Sequence, residues 1–281
     1  MKSSYYKYFA ALLLFGSNGI VASNINLPSY EIVLLRLLLG SLFLITVFTV
    51  SRQRFTFYRN KHTCLYLFIS ASAMGASWML LYEAYQQVGI SIASLAYYCG
   101  PVIVMILSPF LFRETLTWPK IAGFLTVLAG MCLVNLQALD EGKTIWGLFC
   151  GLMSAFMYAL MVTANKKAKP ESGLENSLLQ LVIGSFIVVA FVSMQKNFVL
   201  SLTTIDWIPV LLLGLLNTGI GCYLYFSSIT DLPVQTVAIC GYLEPLSAVV
   251  FSVLFLNEVP FTNARSRTYT WRRHIWRMLQ S

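Results

Sequence analysis

Long apolar runs, separated by short polar connections, follow one another along almost the whole chain. Because a helix needs about 20 consecutive apolar residues to cross the hydrocarbon core of a bilayer, each run predicts one transmembrane helix. The nine runs cover residues 8–24, 30–50, 64–84, 90–112, 119–137, 145–164, 175–194, 207–228 and 234–256. The connections are too short for a separate soluble domain, so we expect an all-α integral membrane protein folded as one helical bundle.

The composition supports this fold class and argues against a metal site or an enzyme. Hydrophobic residues make up 58% of the chain and charged residues only 11%, which is typical of a polytopic membrane protein. The six cysteines lie in apolar runs without a CxxC spacing, and the two histidines belong to no catalytic or metal-binding motif. We therefore expect no metal site, no cofactor and no enzymatic activity.

An internal repeat divides the chain. Pro101 and Glu114 correspond to Pro245 and Glu258 at an offset of 144 residues. One repeat contains five apolar runs, and an odd number of crossings inverts the second copy relative to the first. The sequence thus predicts two inverted five-helix repeats of a ten-helix type. The units are residues 1–137 with five helices, residues 138–258 with four helices, and a basic tail at residues 259–281 in place of the expected tenth helix.

The tail departs from the pattern of the repeat. Residues 259–281 should match the helix at 119–137, but they contain five arginines, and nine crossings from a cytoplasmic start would place them outside the cell. Either an altered gene end, such as a shifted reading frame after Glu258, has replaced a helix, or this segment is a basic amphipathic tail on a membrane surface. The amino-acid sequence leaves both readings open.

Loop charges predict the orientation, because basic residues in short loops tend to stay in the cytoplasm. With the N-terminus inside, the outer loops hold only Lys143 and Lys196. The inner segments hold Lys2, Lys7, Arg52, Arg54, Arg59, Lys61, Arg113, Lys120, Lys166, Lys167 and Lys169. This distribution predicts a multi-pass protein of the cell membrane with a cytoplasmic N-terminus. It also explains most of the net charge of +8, so a nucleic-acid partner is not expected.

Three features carry a resemblance to a known family. They are Arg36 in the second predicted helix, GPVIVMILSPFLFRETLT from Gly100, and GYLEPLSAVVFSVLFLNE from Gly241. Together they resemble the drug/metabolite transporter superfamily, specifically its EamA-type permeases, over residues 8 to about 258. The resemblance implies ten helices in inverted halves around a central cavity, with many members exporting amino acids or related metabolites.

We therefore predict a secondary transporter that exports amino acids or related small metabolites by alternating access. The expected partners are the lipid bilayer and the small-molecule substrate, and a homodimer is left open. Because the chain departs from the family pattern in its tail, the alternatives are an inactive or assembly-only membrane fragment, or an uptake carrier of the same superfamily.

The two repeated prolines locate a candidate substrate site. A proline inside a helix donates no hydrogen bond to the carbonyl four residues earlier. Pro101 should therefore release the carbonyl of Tyr97, and Pro245 that of Gly241. Both should lie near the bilayer centre, where such groups face protein or a water-filled cavity. Kinked helices whose carbonyls bond to neighbouring hydroxyl groups are the structural alternative.

Charged residues inside apolar runs add to this site, because burying a charge in a bilayer is costly. Glu244 should line the cavity and either take up a proton or attract a substrate ammonium. The structural alternatives are an ion pair or a protonated carboxyl group bonded to a neighbour. Arg36 could bind a substrate carboxylate in two places, or it could snorkel or pair with Glu31 or Glu83. Glu83, closer to the outer end of the third predicted helix, is itself a further candidate for the cavity lining. Aromatic and amide side chains at similar depth complete the candidate lining: Asn18, Trp78, Tyr82, Tyr97, Tyr98, Tyr158, Asn217, Tyr225 and Tyr242.

Overall fold

The computed structural model describes residues 2–25, 27–115, 117–118, 121–123, 125–126, 145–194 and 207–256. The regular structure of these residues is helical throughout. Ten helices are α1 (Lys2–Gly16), α2 (Asn18–Ala22), α3 (Ser29–Val50), α4 (Lys61–Tyr97), α5 (Gly100–Phe112), α6 (Ile145–Ala168), α7 (Gly173–Ser193), α8 (Trp207–Ile229), α9 (Val234–Cys240) and α10 (Leu243–Leu256). A short 3₁₀ helix, Phe57–Arg59, lies between α3 and α4.

Seven helical segments of the described residues are long and apolar enough to cross a bilayer. They are Tyr30–Val50, Lys61–Gly89, Ile92–Phe112, Ile145–Ala168, Gly173–Ser193, Trp207–Ile229 and Val234–Phe251. These segments confirm the prediction of an all-α membrane protein. Most of the predicted helix at 119–137, Glu258 and the tail at 259–281 lie outside the described residues, and the ten-helix inverted repeat remains a prediction.

Three local features interrupt the helices. Gly89 has φ of 81° inside α4, a left-handed conformation that glycine adopts at little cost, and it separates two predicted spans. A turn at Ser17 separates α1 from α2, so the first predicted run forms two short helices. Residues Leu212–Ile220 of α8 form a π-helical segment, a rare geometry that often occurs at functional sites.

Small residues allow α4 and α6 to pack closely. A Cβ atom placed on Gly147 would lie 2.6 Å from the Cβ of Gln87, and one on Gly151 would lie 2.8 Å from that of Ala96. Neither distance is compatible with ordinary van der Waals contact. The glycines at these positions therefore set how near the two helices can lie, as expected for small residues four apart on a membrane helix.

Buried hydrogen bonds also join α7 to two other helices. Ser70 and Gln180 link α4 to α7, and Asn165 and Asn176 link α6 to α7 through two amide hydrogen bonds. Such polar pairs contribute about 0.6 kcal/mol each on average in membrane bundles. They tie α4 and α6 to α7.

Two of the interhelical contacts join residues that are 144 positions apart. The hydroxyl groups of Ser41 and Ser185 lie 3.0 Å apart, and the Tyr242 hydroxyl donates to the Tyr98 carbonyl at 2.9 Å. This separation equals the offset of the sequence repeat. If the predicted repeat holds, these two contacts join equivalent positions of its two copies.

Glu114, one of the four residues that define the repeat, anchors the start of α9. Its two carboxylate oxygens accept hydrogen bonds from the backbone amides of Val234 and Gln235, at 2.7 and 3.0 Å. A carboxylate at this position satisfies amides that lack partners within the helix and complements the helix dipole. Glu114 therefore has a structural role at the end of the bundle.

Candidate functional site

A buried guanidinium group forms the cationic part of the site. Arg36 lies in α3 and is only 9% exposed. Its Nε donates to Thr218 Oγ1 at 2.9 Å, and its guanidinium lies 4.7 Å from the centroid of the Trp78 ring. The Tyr82 side chain lies close to the guanidinium.

These partners hold the guanidinium group in place without neutralising it. Thr218 lies in the π-helical segment and donates its own hydroxyl to the Leu213 carbonyl at 2.8 Å, which leaves its oxygen to accept from Arg36. Trp78 supplies a cation–π contact. Because Thr218, Trp78 and Tyr82 are all neutral, the buried positive charge can still attract an anion.

Glu244 supplies the opposite charge. It lies in the first turn of α10, is half-buried, and is close enough to Arg36 for an electrostatic interaction. Its carboxylate accepts no hydrogen bond from the residues that the structure describes, although its backbone amide and carbonyl are both bonded. The site thus presents a guanidinium and a carboxylate that are not locked together in a direct ion pair.

Aromatic side chains surround these two charges. The Tyr97 and Tyr158 rings lie 5.5 Å apart, and the hydroxyl groups of Tyr158 and Tyr225 lie 3.3 Å apart. Tyr8 packs against Tyr225 at 5.6 Å. The phenol groups of Tyr97, Tyr98 and Tyr158 lie near the carboxylate of Glu244. Four helices, α1, α4, α6 and α8, therefore bring phenol groups to one region.

The first helix break places Pro101 at the start of α5, after a turn at Tyr98 and Cys99. The Tyr97 carbonyl receives no hydrogen bond from a described residue, as the position of the proline predicts. The neighbouring carbonyl of Tyr98 accepts the hydroxyl of Tyr242 instead. This polar contact connects the two breaks.

The second break differs from the prediction. Helix α9 ends at Cys240, and Gly241 and Tyr242 form a turn before α10, which contains Pro245. The Gly241 carbonyl was expected to be unbonded, but it accepts the backbone amide of Glu244 at 3.2 Å. Pro245 has no amide hydrogen to donate to this carbonyl, so the amide of Glu244, three residues after Gly241, takes its place in a tighter turn. Gly241 therefore contributes a turn and no free carbonyl.

Three of the predicted residues have other partners in the structure. The Asn217 side chain donates to the Leu14 carbonyl at 2.8 Å and to Asn18 Oδ1 at 3.0 Å. Asn217 and Asn18 thus tie α8 to the end of α1. Glu83 accepts hydrogen bonds from Gln87 and Trp146 at 3.1 and 3.3 Å, and it therefore does not pair with Arg36.

The structure also brings in residues that the sequence reasoning missed. Thr218 bonds to Arg36, and the buried hydroxyl of Tyr8 donates to the Val237 carbonyl at 2.7 Å, close to the second break. The only signal for Thr218 was its position in the glycine-rich stretch from Gly214 to Gly221. Tyr8 gave no signal, because tyrosines are common throughout this chain.

Several known proteins that are similar to this chain are named as transporters. The chain is 27% identical over 261 residues to the uncharacterized transporter YxxF of Bacillus subtilis, covering 90% of this chain and 82% of the relative. It is 27% identical over 225 residues to the threonine/homoserine exporter RhtA of Escherichia coli K12, covering 80% and 72%. It is 20% identical over 204 residues to a biotin transporter of Salmonella typhimurium, covering 71% and 68%.

A solved crystal structure shares the fold, with a TM-score of 0.76 at 17% identity, over 93% of this chain and 91% of the other. The sequence profile of the EamA-like transporter family matches residues 3–136 and 145–264. These two matched regions cover most of the sequence, including Arg36 and Glu244. The chain therefore belongs to the EamA-like transporter family, whose members are membrane transporters and not enzymes.

Proposed function

We propose that this transporter exports amino acids or related small metabolites by alternating access. The observation that carries the proposal is that Arg36 and Glu244 lie near each other, without a direct ion pair, within one group of tyrosines. A guanidinium binds a carboxylate strongly, and a carboxylate attracts an ammonium group. A zwitterionic substrate could therefore contact both charges while its side chain lies against aromatic rings.

The electrostatics favour a ligand in this position. A buried arginine with only neutral hydrogen-bond and ring partners carries a large desolvation cost, which a substrate carboxylate would offset. Glu244 lies at the start of a helix, where the dipole stabilises a negative charge. The similarity to a threonine/homoserine exporter supports the same class of substrate.

The helix breaks support alternating access. Broken helices near the midplane and inverted repeats are typical of secondary transporters. Here the breaks lie beside the site, and the contact between Tyr98 and Tyr242 joins them. We propose that the two halves rock about this region, with the N-terminus in the cytoplasm as the loop charges predict.

The test is substrate exchange in proteoliposomes that contain the purified full chain. Radiolabelled threonine, homoserine and other amino acids are loaded inside, and their exit against an external pool is measured. We compare the parent with Glu244→Gln, and use Glu83→Gln as a matched control, because Glu83 is an acidic residue of the same bundle that already has two partners.

Loss of an interaction with a charged group costs about 1.5–3 kcal/mol, or about 10- to 150-fold in affinity. We expect Glu244→Gln to lower exchange by such a factor and Glu83→Gln to leave it nearly unchanged. Arg36→Lys should also reduce exchange, since lysine keeps the charge but not the planar fork. If Glu244→Gln and Arg36→Lys both exchange like the parent at every pH, the proposed site is wrong. Entry of external substrate without exit of the internal pool would favour the alternative of an uptake carrier.

A further inference from the structure

A cavity lies at one end of the bundle, and neither Arg36 nor Glu244 lines it. Its volume is about 330 Å³. It is formed where α4 begins and α6 ends, and the loop before α4 and the connection to α7 close its sides. The polar and charged lining residues are Thr56, Arg59, Asn60, His62, Thr63, Lys167, Lys169, Glu171 and Glu175.

Positive charge predominates among the groups that remain available in this cavity. Arg59, Lys167 and Lys169 are cationic. Glu175 is also part of the lining, but its carboxylate is already engaged: it accepts from the backbone amides of Thr56 and Phe57 and from the Thr56 hydroxyl. The other lining carboxylate is that of Glu171, which is exposed and accepts no hydrogen bond from the described residues. It is therefore the one negative charge of the described lining that remains available beside the three cations.

Local contacts hold the cavity in shape. The Thr63 hydroxyl donates to the Ala168 carbonyl at 3.0 Å, which ties the start of α4 to the end of α6. Lys169 follows directly with a left-handed backbone, φ 47°, and so turns the chain sharply where α6 ends. Lys167 lies 5.9 Å from the centroid of the Tyr66 ring. The cationic side chains are therefore grouped by the backbone and not merely by proximity in sequence.

The position of the cavity indicates its ligand. Lys61 begins one membrane-spanning segment and Ala168 ends another, so the cavity lies at the level of lipid headgroups. Basic pockets between transmembrane helices at this depth bind anionic headgroups. The volume is at the lower end of the range for small-molecule sites and suits a headgroup better than a complete lipid.

We propose that this cavity binds a phosphate group, namely the headgroup of an anionic phospholipid. The phosphate would lie among Arg59, Lys167 and Lys169, and the acyl chains would extend along the apolar surfaces of α4 and α6. The proposal does not depend on the identity of the transported substrate.

The test is lipid binding to the delipidated full chain, measured by native mass spectrometry with short-chain phosphatidylglycerol or phosphatidylcholine. The triple variant Arg59→Gln, Lys167→Gln, Lys169→Gln removes the three cations. The matched control removes the same charge from Lys2, Lys7 and Arg113, which do not line the cavity.

We expect the parent and the control to prefer phosphatidylglycerol over phosphatidylcholine by about tenfold or more, and the triple variant to lose that preference. Equal preference in the triple variant and the control, or no preference in the parent, would overturn the proposal. Thermal unfolding checks that the triple variant folds. If it does not fold, Lys169→Gln alone, at an exposed position, provides the comparison.

A second arm distinguishes a lipid from a soluble ligand. Inorganic phosphate is titrated into protein held in phosphatidylcholine nanodiscs. Weak phosphate binding together with strong phosphatidylglycerol binding supports the lipid assignment. Tight, cation-dependent phosphate binding without a preference for phosphatidylglycerol would overturn the lipid as the source and assign the cavity to a soluble phosphate.

Discussion

The hydrogen bond between the two helix breaks can be removed by deleting one oxygen atom. Tyr242 is 1% exposed, and its hydroxyl donates to the Tyr98 carbonyl at 2.9 Å. Tyr242→Phe keeps the ring and its packing but leaves that carbonyl without this donor. The matched control is Tyr97→Phe, because the Tyr97 hydroxyl makes no hydrogen bond to a described residue.

The magnitude follows from the environment of the bond. Interhelical hydrogen bonds in membrane proteins contribute about 0.6 kcal/mol on average and up to about 1.7 kcal/mol. The Tyr98 carbonyl lies in a turn and receives no backbone hydrogen bond from the described residues, so we expect a loss in the upper part of that range, about 1–1.5 kcal/mol. This corresponds to a factor of about 5 to 12 in an equilibrium constant.

Two measurements check this expectation. The thermal midpoint of the purified protein should fall by a few degrees in Tyr242→Phe, at about 2–4 °C per kcal/mol for chains of roughly this size, and should hardly change in Tyr97→Phe. If the bond forms in only one conformation of the transport cycle, its loss also shifts the population of states by the same factor.

Cys240 reports that shift, because it lies two residues before Tyr242 and is half-buried. Its reaction with a membrane-permeant thiol reagent should accelerate by up to about 12-fold. An unchanged midpoint together with an unchanged labelling rate would refute the role of this bond. If Tyr97→Phe changes the thermal midpoint and the labelling rate as much as Tyr242→Phe does, the effect comes from losing any phenol hydroxyl of the cluster and not from this hydrogen bond.

Two further predictions test the packing and the site. Gly147→Ala should lower the free energy of unfolding by about 1–3 kcal/mol, measured by thermal unfolding, because the added Cβ would lie 2.6 Å from the Cβ of Gln87. The control is Gly123→Ala, which should be neutral in the same measurement because the added Cβ would meet no atom within 4 Å. Thr218→Val, which removes the acceptor for Arg36 Nε, should weaken substrate binding by up to about tenfold. Unchanged or tighter binding in a substrate titration would contradict this role for Thr218.

The helices of this protein could be predicted from the sequence with good accuracy. The run at 175–194 corresponds to Gly173–Ser193, and the run at 145–164 to Ile145–Ala168. This works because a lipid-exposed segment must satisfy its backbone hydrogen bonds within itself, so apolar length alone predicts a helix. The position of the first helix break was also predictable, since proline removes a specific backbone donor.

The second break shows where local rules are insufficient. Pro245 removes a donor as predicted, but the chain tightens and the amide of Glu244 bonds to the Gly241 carbonyl. Whether a released carbonyl stays unbonded depends on the backbone angles of the turn. Those angles depend on packing around the turn as much as on the proline.

The sequence by itself determined that Arg36 and Glu244 are unusual, because ionisable residues deep in apolar runs are costly and tend to face protein or water. Only the tertiary structure decided their surroundings. Thr218, which holds Arg36, is 182 positions away, and Glu83, an expected partner, bonds to Gln87 and Trp146 instead. The cost of burying a charged side chain in a bilayer depends on its own position in an apolar run, so the sequence shows it. Its hydrogen-bond partners depend on which helices pack together and at what depth, so only the tertiary structure shows them.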